Sequence, residues 1–364
     1  MTLVKHGLVV GSLMALVAAC GGGAAPADEG AVIEEITDDG DLEQLVEQAE
    51  AEGQVVWYTS VPSERAEQIG SMFQEEYGIE VLVQRSGGAD ILQRYLLEAE
   101  AGQVQNDVLT ISDPSAFLSL QEEGRVLRFV PSRFDEVPES ARSEDGYWVA
   151  TRVNAMVMAY RTDRVDDPPT GWEDLVDERF AGVTGHVNPN FSAGVMTVAA
   201  GISQDFGWEW YERFAQLDPL ILRGNNQLGE SLISGEVDVA AFLNSTYVAE
   251  AKDQGQPVEW VFPEDGVYMV AAPSAVMADA PNPNAGKLLA EYLLTDAVQE
   301  LMIEEGNYAA LETLPAPEGQ PERDELTELV IDYDWLAENL ESVRGEWNQI
   351  IDAPEEEEEE EGQG

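Results

Sequence analysis

Short apolar runs alternate with segments of helical spacing along most of the chain. Residues 54–59 form a continuous apolar run typical of a buried strand, and residues 81–83 and 107–110 repeat the pattern. Between the first two runs, apolar side chains follow helical spacing from Ser63, which is suited to cap a helix, to Gly78, which is suited to end one. This alternation predicts an α/β fold, with a mostly parallel sheet covered by helices.

The same alternation returns in the second half of the chain. Further strands are predicted at residues 156–160, 181–184, 237–242 and 268–270. Further helices are predicted at residues 42–52, 90–101, 195–204, 208–217, 228–234, 284–294 and 297–304, and from residue 326 onward. With 364 residues, the chain is long enough for two domains of ordinary size.

The first twenty residues have the pattern of an export signal. Lys5 precedes an apolar stretch at residues 7–19, which is shorter than the roughly 20 residues that span a bilayer. The stretch ends at Cys20, the only cysteine, and residues 17–20 look like a bacterial lipobox. We therefore predict a signal peptide at 1–20, lipidation at Cys20 and a tether at 21–41. The protein would then be exported and anchored to the cell membrane, facing the periplasm or the cell exterior; a membrane span with a buried thiol is the alternative.

The chain carries a net charge of −54, from 72 acidic and 18 basic residues. Nucleic acid is excluded as a partner because phosphate binding needs basic patches. General disorder is disfavoured by 44% hydrophobic residues and eight tryptophans. We interpret the charge as adaptation to high salt, where the Debye length falls to about 3 Å at 1 M. The tail at 352–364, with seven consecutive glutamates, is predicted to be disordered.

Signatures of catalysis are nearly absent. No cysteine follows Cys20, and His6 and His186 are the only histidines. There is no Gly-x-Ser-x-Gly elbow, dinucleotide-binding loop or Walker loop. We therefore expect no enzyme and no cofactor. A metal-dependent hydrolase that uses clustered carboxylates is kept as a remote alternative.

Several blocks of residues, in order, resemble the extracellular solute-binding proteins of ABC importers, in the branch that includes ferric-iron-binding and thiamine-binding proteins. The blocks lie at residues 49–60, 85–88, 101–108, 171–182, 235–240 and 280–308, and the resemblance covers residues 42–351. It implies the two-lobed type 2 periplasmic-binding-protein fold, with a ligand cleft at a hinge between the lobes. It also implies a monomer whose partners are the permease and ATPase subunits of an importer.

The resemblance also suggests domain boundaries. Lobe 1 is expected at 42–155 and 267–315. Lobe 2 is expected at 156–266, with C-terminal helices at 316–351 packed on it.

Two predicted helix starts are natural seats for an anion, because free N–H groups and the positive end of the helix dipole face it. They are Ser86, Gly87 and Gly88, and Ser192, Ala193 and Gly194. The second matches the position where iron-binding relatives hold a synergistic anion, although both serines could be plain N-caps. In relatives an asparagine near Asn225 and Asn226 also touches the anion; the choice between the two stays open, as does turn chemistry alone.

Metal ligands are suggested by the resemblance alone. In iron-binding relatives, the segment that matches residues 244–247 ends in two tyrosines that ligate Fe³⁺. Here Tyr247 matches the second, Thr246 replaces the first, and Glu98 is a loose match to a carboxylate ligand. Tyr58 and Tyr160 end predicted strands and could each add a phenolate, with aromatic packing as the alternative. Arg152, and also Arg85, could pair with an anionic ligand, although arginines of so acidic a protein are otherwise surface partners of carboxylates.

The expected function is therefore capture and delivery, without chemistry. The predicted ligand is ferric iron, with or without a synergistic anion, carried as cargo to a membrane permease. A small anionic organic solute and a thiamine-like compound are the alternatives.

Overall fold

The computed structural model describes residues 34–351. The predicted signal peptide, Cys20 and the acidic tail lie outside the described residues, as does most of the predicted tether. The strands are β1 (Gln54–Thr59), β2 (Glu80–Arg85), β3 (Val108–Thr110), β4 (Val149–Arg161), β5 (Thr184–Val187), β6 (Leu220–Leu222), β7 (Val239–Asn244), β8 (Val258–Val261), β9 (Val267–Val276), β10 (Tyr308–Ala309) and β11 (Glu328–Leu329). The α-helices are α1 (Asp39–Glu52), α2 (Ser63–Tyr77), α3 (Gly88–Glu100), α4 (Pro114–Glu122), α5 (Ala193–Asp205), α6 (Trp208–Ala215), α7 (Asn225–Ser234), α8 (Ser245–Asp253), α9 (Pro283–Tyr292), α10 (Asp296–Glu304) and α11 (Tyr333–Ile351).

These strands form one mixed sheet. Its main order is β2-β1-β3-β9-β4-β7-β5-β6, with β8 and β10 paired to β4 and β11 paired to β9. Among the strand pairs of the described residues, every antiparallel pair includes β4 or β9. The pairs among the other strands are all parallel. The predicted α/β fold class is confirmed, and the antiparallel part comes from these two long strands.

Strands β4 and β9 run side by side through the middle of the sheet. They pair antiparallel from Val149 opposite Ser274 to Met156 opposite Tyr268. Every residue of β9 is buried, as is every residue of β4 except Tyr160. One group of parallel strands, β1 to β3, lies on the β9 side, and β5 to β7 lie on the β4 side. The two long strands fit the crossing strands that the resemblance implies, while the lobe boundaries stay a prediction.

The apolar cores differ on the two sides. On the β5–β7 side the core is rich in aromatic rings: Trp172 stacks on Phe242 at 4.7 Å between centroids, and Trp210 stacks on Phe214 at 5.1 Å. On the other side, α1, α2 and α9 cover β1 mainly with aliphatic side chains, together with Phe73 and Tyr292. Each large side chain buried in this way contributes about 1.5–3 kcal/mol to stability. These cores hold the sheet edges that carry the site described below.

Several strands and helices begin at other residues than the sequence predicts. The strand predicted at 181–184 lies instead at Thr184–Val187, because Glu178–Phe180 form a 3₁₀ turn that delays it. The helix predicted from residue 326 begins at Tyr333, because Glu328 and Leu329 pair with β9. The helix predicted at 228–234 begins three residues earlier, at Asn225. Within residues 34–351, no helix combines the length and the apolar character that a membrane crossing needs.

Candidate ligand-binding site

A cavity of about 300 Å³ opens at the middle of the sheet, between the two groups of parallel strands. Asn154 and Met156 of β4 and Val270 of β9 line it where the long strands pass. Three more lining residues come from the ends of the first strands: Ser60 follows β1, Arg85 is the last residue of β2, and Ser112 lies in the loop after β3. Ligand sites of α/β proteins lie at such strand ends, and the volume suits a small molecule.

Five helices begin at this cavity. Their N-cap residues all line it, namely Pro62 of α2, Gly87 of α3, Ser192 of α5, Gly224 of α7 and Asn244 of α8. The Ser192 and Asn244 side chains accept one N–H each of their own helices. The N-caps of α2, α3 and α7 make no such bond, so their first-turn N–H groups stay open to a ligand. Five positive helix ends therefore converge on one small space.

The arginines of the cavity differ from all the others. The chain has fifteen arginines, and twelve form an ion pair with a carboxylate. In the part of the chain that the structure describes, Arg85, Arg152 and Arg223 form none, and these are the three that line the cavity. Arg223 lies over the ring of Phe191, another lining residue, at 4.6 Å from the centroid. Among the arginines, all of which lie in the described residues, those without a carboxylate partner are therefore the ones around the cavity.

Arg152 is the most deeply placed of the three. It is 5% exposed, and its Nη2 donates to Ser60 Oγ at 3.4 Å. Its Nη1 is buried without a hydrogen-bond partner. A buried cation with an unsatisfied donor is costly unless another group satisfies it. An anion in the cavity would supply that group.

Two titratable groups lie near these arginines. Burial raises the pKa of Tyr247, against the opposing effect of Arg85 and Arg152, which favours the neutral phenol. Burial also raises the pKa of Glu305, against the positive charges of Arg152 and Arg65. Asp90, in the first turn of α3, is the other carboxylate of the cavity. The cavity thus has three guanidinium groups and two carboxyl groups in its lining.

Most of the residues predicted for the site meet in this cavity. Those that line it are Gly87, Gly88, Arg152, Ser192, Ala193, Gly194, Asn225, Asn226 and Tyr247. The sequence left open whether Asn225 or Asn226 faces the cleft; both line the cavity, from the first turn of α7. Ser86 lies beside the lining residues, and its N–H donates to the Thr59 carbonyl at 3.2 Å.

Three predicted residues lie elsewhere. Tyr58 is completely buried in the core under α3, and its hydroxyl donates to Glu98 at 2.9 Å. Glu98 also pairs with Arg94, so both acidic oxygens are engaged there. Tyr160 lies inside β4, between Val239 of β7 and Glu259 of β8. Strand β4 continues to Arg161, so Tyr160 does not end its strand as the sequence pattern predicts. Both Tyr160 and Tyr58 pack against the apolar cores, which is the alternative that the sequence left open for them.

Other lining residues were not predicted from the sequence. They include Phe191, Arg223, Asn154, Asn307, Asp90 and Glu305. Phe191 directly precedes a predicted anion seat, and Arg223 lies two residues before Asn225, so closeness in sequence was the available signal. Glu305 and Asn307 come from beyond α10, and only the tertiary fold brings them to the cavity.

A metal site made of the usual side chains is not seen. Among residues 34–351, no group of three or more His, Cys, Asp and Glu side chains could hold a metal ion. A phenolate ligand from Tyr247 would have Arg85 and Arg152 as neighbours. Positive charges so close oppose a trivalent cation and favour an anion.

Comparison with known proteins gives a consistent result. A family model described as "Bacterial extracellular solute-binding protein" matches residues 68–327. A probable ABC transporter periplasmic-binding protein, y4fP of Sinorhizobium fredii, is 24% identical over 212 residues, which are 55% of this chain and 58% of that protein.

Two solved structures share the fold. Iron-bound HitA from Pseudomonas aeruginosa has a TM-score of 0.72 at 20% identity, covering 81% of this chain and 99% of HitA. The periplasmic binding protein AfuA from Actinobacillus pleuropneumoniae, with exogenous fructose-6-phosphate bound, has a TM-score of 0.73 at 20% identity, covering 83% and 99%. At this identity the likeness establishes the fold alone.

Proposed function

The chain belongs to the bacterial extracellular solute-binding proteins, which serve ABC transporters, and we propose that its own ligand is a small organic anion. The observation that carries this proposal is the set of three arginines without carboxylate partners, Arg85, Arg152 and Arg223, around one cavity. In a chain with 72 acidic residues, each of the other twelve arginines forms an ion pair with a carboxylate. Guanidinium groups and helix N-termini both recognise carboxylate and phosphate oxygens.

Relatives show that the fold takes both kinds of cargo. HitA was solved with iron, and AfuA was solved with a phosphate ester of a sugar. The sequence alone favoured ferric iron for this chain because of Tyr247. The arrangement of charges supports the alternative that the sequence kept open, the anionic organic solute.

The first experiment tests anion binding directly. Calorimetric titration of the mature protein, in molar KCl, with phosphate monoesters, dicarboxylates and citrate should give saturable binding without turnover. Arg152→Met should lower affinity for the tightest anion about a hundredfold, because it removes the buried charge that the anion neutralises. Arg213→Met removes an exposed arginine that pairs with Glu173, so it is the matched control and should bind like the wild type.

The outcomes separate the candidate functions. If no anion binds, or if Arg152→Met binds as well as Arg213→Met, the proposal fails. Ferric iron is the second candidate, since Tyr247 lines the cavity. Iron held by a tyrosine phenolate would give a visible charge-transfer band that Tyr247→Phe removes, whereas the anion proposal expects a colourless protein after iron loading. Turnover of any added ester would instead support the hydrolase.

We also propose that the protein works outside the cytoplasm as a monomer tethered by lipid at Cys20. The family is extracellular or periplasmic, which supports export. The lipid anchor rests on the sequence pattern at residues 17–20 alone.

A further inference from the structure

One side of the cavity presents hydrogen-bond acceptors instead of donors. Glu305 caps the C-terminal end of α10, where the helix dipole is negative, and Asn307 lies two residues later. Asn307 is 2% exposed, and its side-chain nitrogen donates to Glu305 Oε2 at 3.0 Å. That bond leaves the Asn307 Oδ1 as an acceptor, and this oxygen is buried without a partner. Both residues line the cavity.

Arg152 lies near this acceptor pair without pairing to it. Glu305 is the charge that most strongly stabilises the Arg152 cation, yet the Arg152 Nη1 has no hydrogen-bond partner. The free donor, Arg152 Nη1, and the free acceptor, Asn307 Oδ1, therefore belong to residues that line one cavity, together with the Glu305 carboxylate. A ligand that satisfies all of them must offer an anionic oxygen to Arg152 and a donor to Glu305 and Asn307.

We propose that Glu305, supported by Asn307, is a specificity-determining residue that admits anions carrying a hydroxyl or an acidic proton at the anionic end and rejects anions without one. The inference rests on the proposed function, since it concerns the same cavity. An anion without a donor would place its lone pairs against those of Glu305 and Asn307. Leaving such buried groups unpaired costs enough to discriminate about ten- to a hundredfold.

Inorganic phosphate and sulfate are the probes that isolate this feature. Both are tetrahedral oxyanions of similar size, but phosphate keeps a proton near neutral pH and sulfate keeps none. The wild type should therefore bind phosphate at least about tenfold more tightly than sulfate. Glu305→Gln offers an amide N–H to the ligand in nearly the same shape, so sulfate should bind more tightly and the preference should fall about tenfold or more.

Loss of a negative charge could by itself tighten anion binding, and Asp90 provides the control. Asp90 is the other cavity carboxylate, and it lies at the start of a helix, in the first turn of α3, whereas Glu305 lies at the end of one. Asp90→Asn removes one charge, so it should strengthen phosphate and sulfate binding by a similar factor and leave their ratio unchanged. Melting temperatures without ligand, measured for all three proteins, check that the variants are folded.

The experiments distinguish failure of the inference about Glu305 from failure of the proposed function. If organic anions bind but phosphate is not preferred over sulfate, the inference is overturned while the proposed function stands. The same holds if Glu305→Gln leaves the ratio unchanged, or if Asp90→Asn shifts it equally. If no anion of any kind binds the wild type, the proposed function falls and this inference falls with it.

Discussion

At the scale of single residues, the absence of partners around Arg152 is the feature that needs a cause. Removing a guanidinium from water costs several kcal/mol unless hydrogen bonds and a counter-charge compensate. Glu305 is close enough to influence Arg152 but leaves its Nη1 unsatisfied. The anionic ligand proposed above would offset this cost, because its oxygen would supply the missing partner. A purely structural arginine would be expected to pair, as Arg161 does with Asp163 at 2.9 Å.

His186 gives a residue-scale prediction about acid. It is completely buried beside Phe242, Phe214 and Tyr211, and its Nδ1 donates to the Val187 carbonyl at 2.5 Å. Burial lowers its pKa from 6.5 to about 4. The unfolded chain therefore binds a proton first, so stability present above pH 6.5 is lost as pH falls towards 4, by about 3 kcal/mol.

The measurement is denaturant unfolding of the wild type and His186→Gln at pH 7 and pH 4, in molar KCl. Glutamine does not titrate, so the variant should lose about 3 kcal/mol less on acidification than the wild type does. The carboxylates titrate in both proteins and cancel in the comparison. Equal losses would show that His186 is not held neutral by the fold.

At the scale of elements, the site is made by where helices begin. Five strands end at the edge of the cavity, and a helix begins after each of them: β1, β2, β5, β6 and β7. The N-caps gather because parallel strands end at the same edge of a sheet. The chain therefore needs few charged side chains to build a positive site.

Ala193 tests the role of these helix starts. It is the first residue of α5 and lines the cavity, and Ser192 before it is extended, with φ −131° and ψ 107°. Proline is tolerated at this position, as Pro114 and Pro283 show in α4 and α9. Ala193→Pro should thus keep the fold, remove one N–H from the cavity and weaken anion binding about tenfold or more.

Asp39→Pro is the control for this substitution. Asp39 is the exposed first residue of α1 and does not line the cavity, and Asp38 before it is also extended. Calorimetry should show unchanged anion affinity for Asp39→Pro. If Ala193→Pro also binds normally, the N–H groups of α5 do not hold the ligand.

The same elements show what the sequence can and cannot predict. Gly87, Ser192 and Asn225 were predictable because capping and turn residues mark helix starts within a few positions of the chain. Tyr58 was not, since a strand of three consecutive buried residues, Trp57 to Thr59, gives no sign of which face meets the cleft. Glu305 was beyond reach, because its place depends on α10 packing next to β4, far away in sequence.

At the scale of the whole molecule, the surface is dominated by like charge. The net charge is −54, and three of the eighteen basic residues are held inside the cavity. Few cations remain to offset the carboxylates outside it. Self-repulsion of this size destabilises a compact state when ionic strength is low. The net charge therefore sets the salt concentration at which the fold is stable, whereas the residues of the cavity set which ligand binds.

The last prediction follows from this repulsion. Raising KCl from dilute buffer to molar concentration shortens the Debye length from about 30 Å at 0.01 M to about 3 Å at 1 M, so the melting temperature should rise. Glu43, Glu47 and Glu50 are exposed on one helix, α1, at spacings that bring like charges together. Changing all three to glutamine should raise the melting temperature in dilute buffer and reduce the further gain from salt. A melting temperature that stays flat or drops as KCl rises would contradict adaptation to brine, whatever ligand the cavity holds.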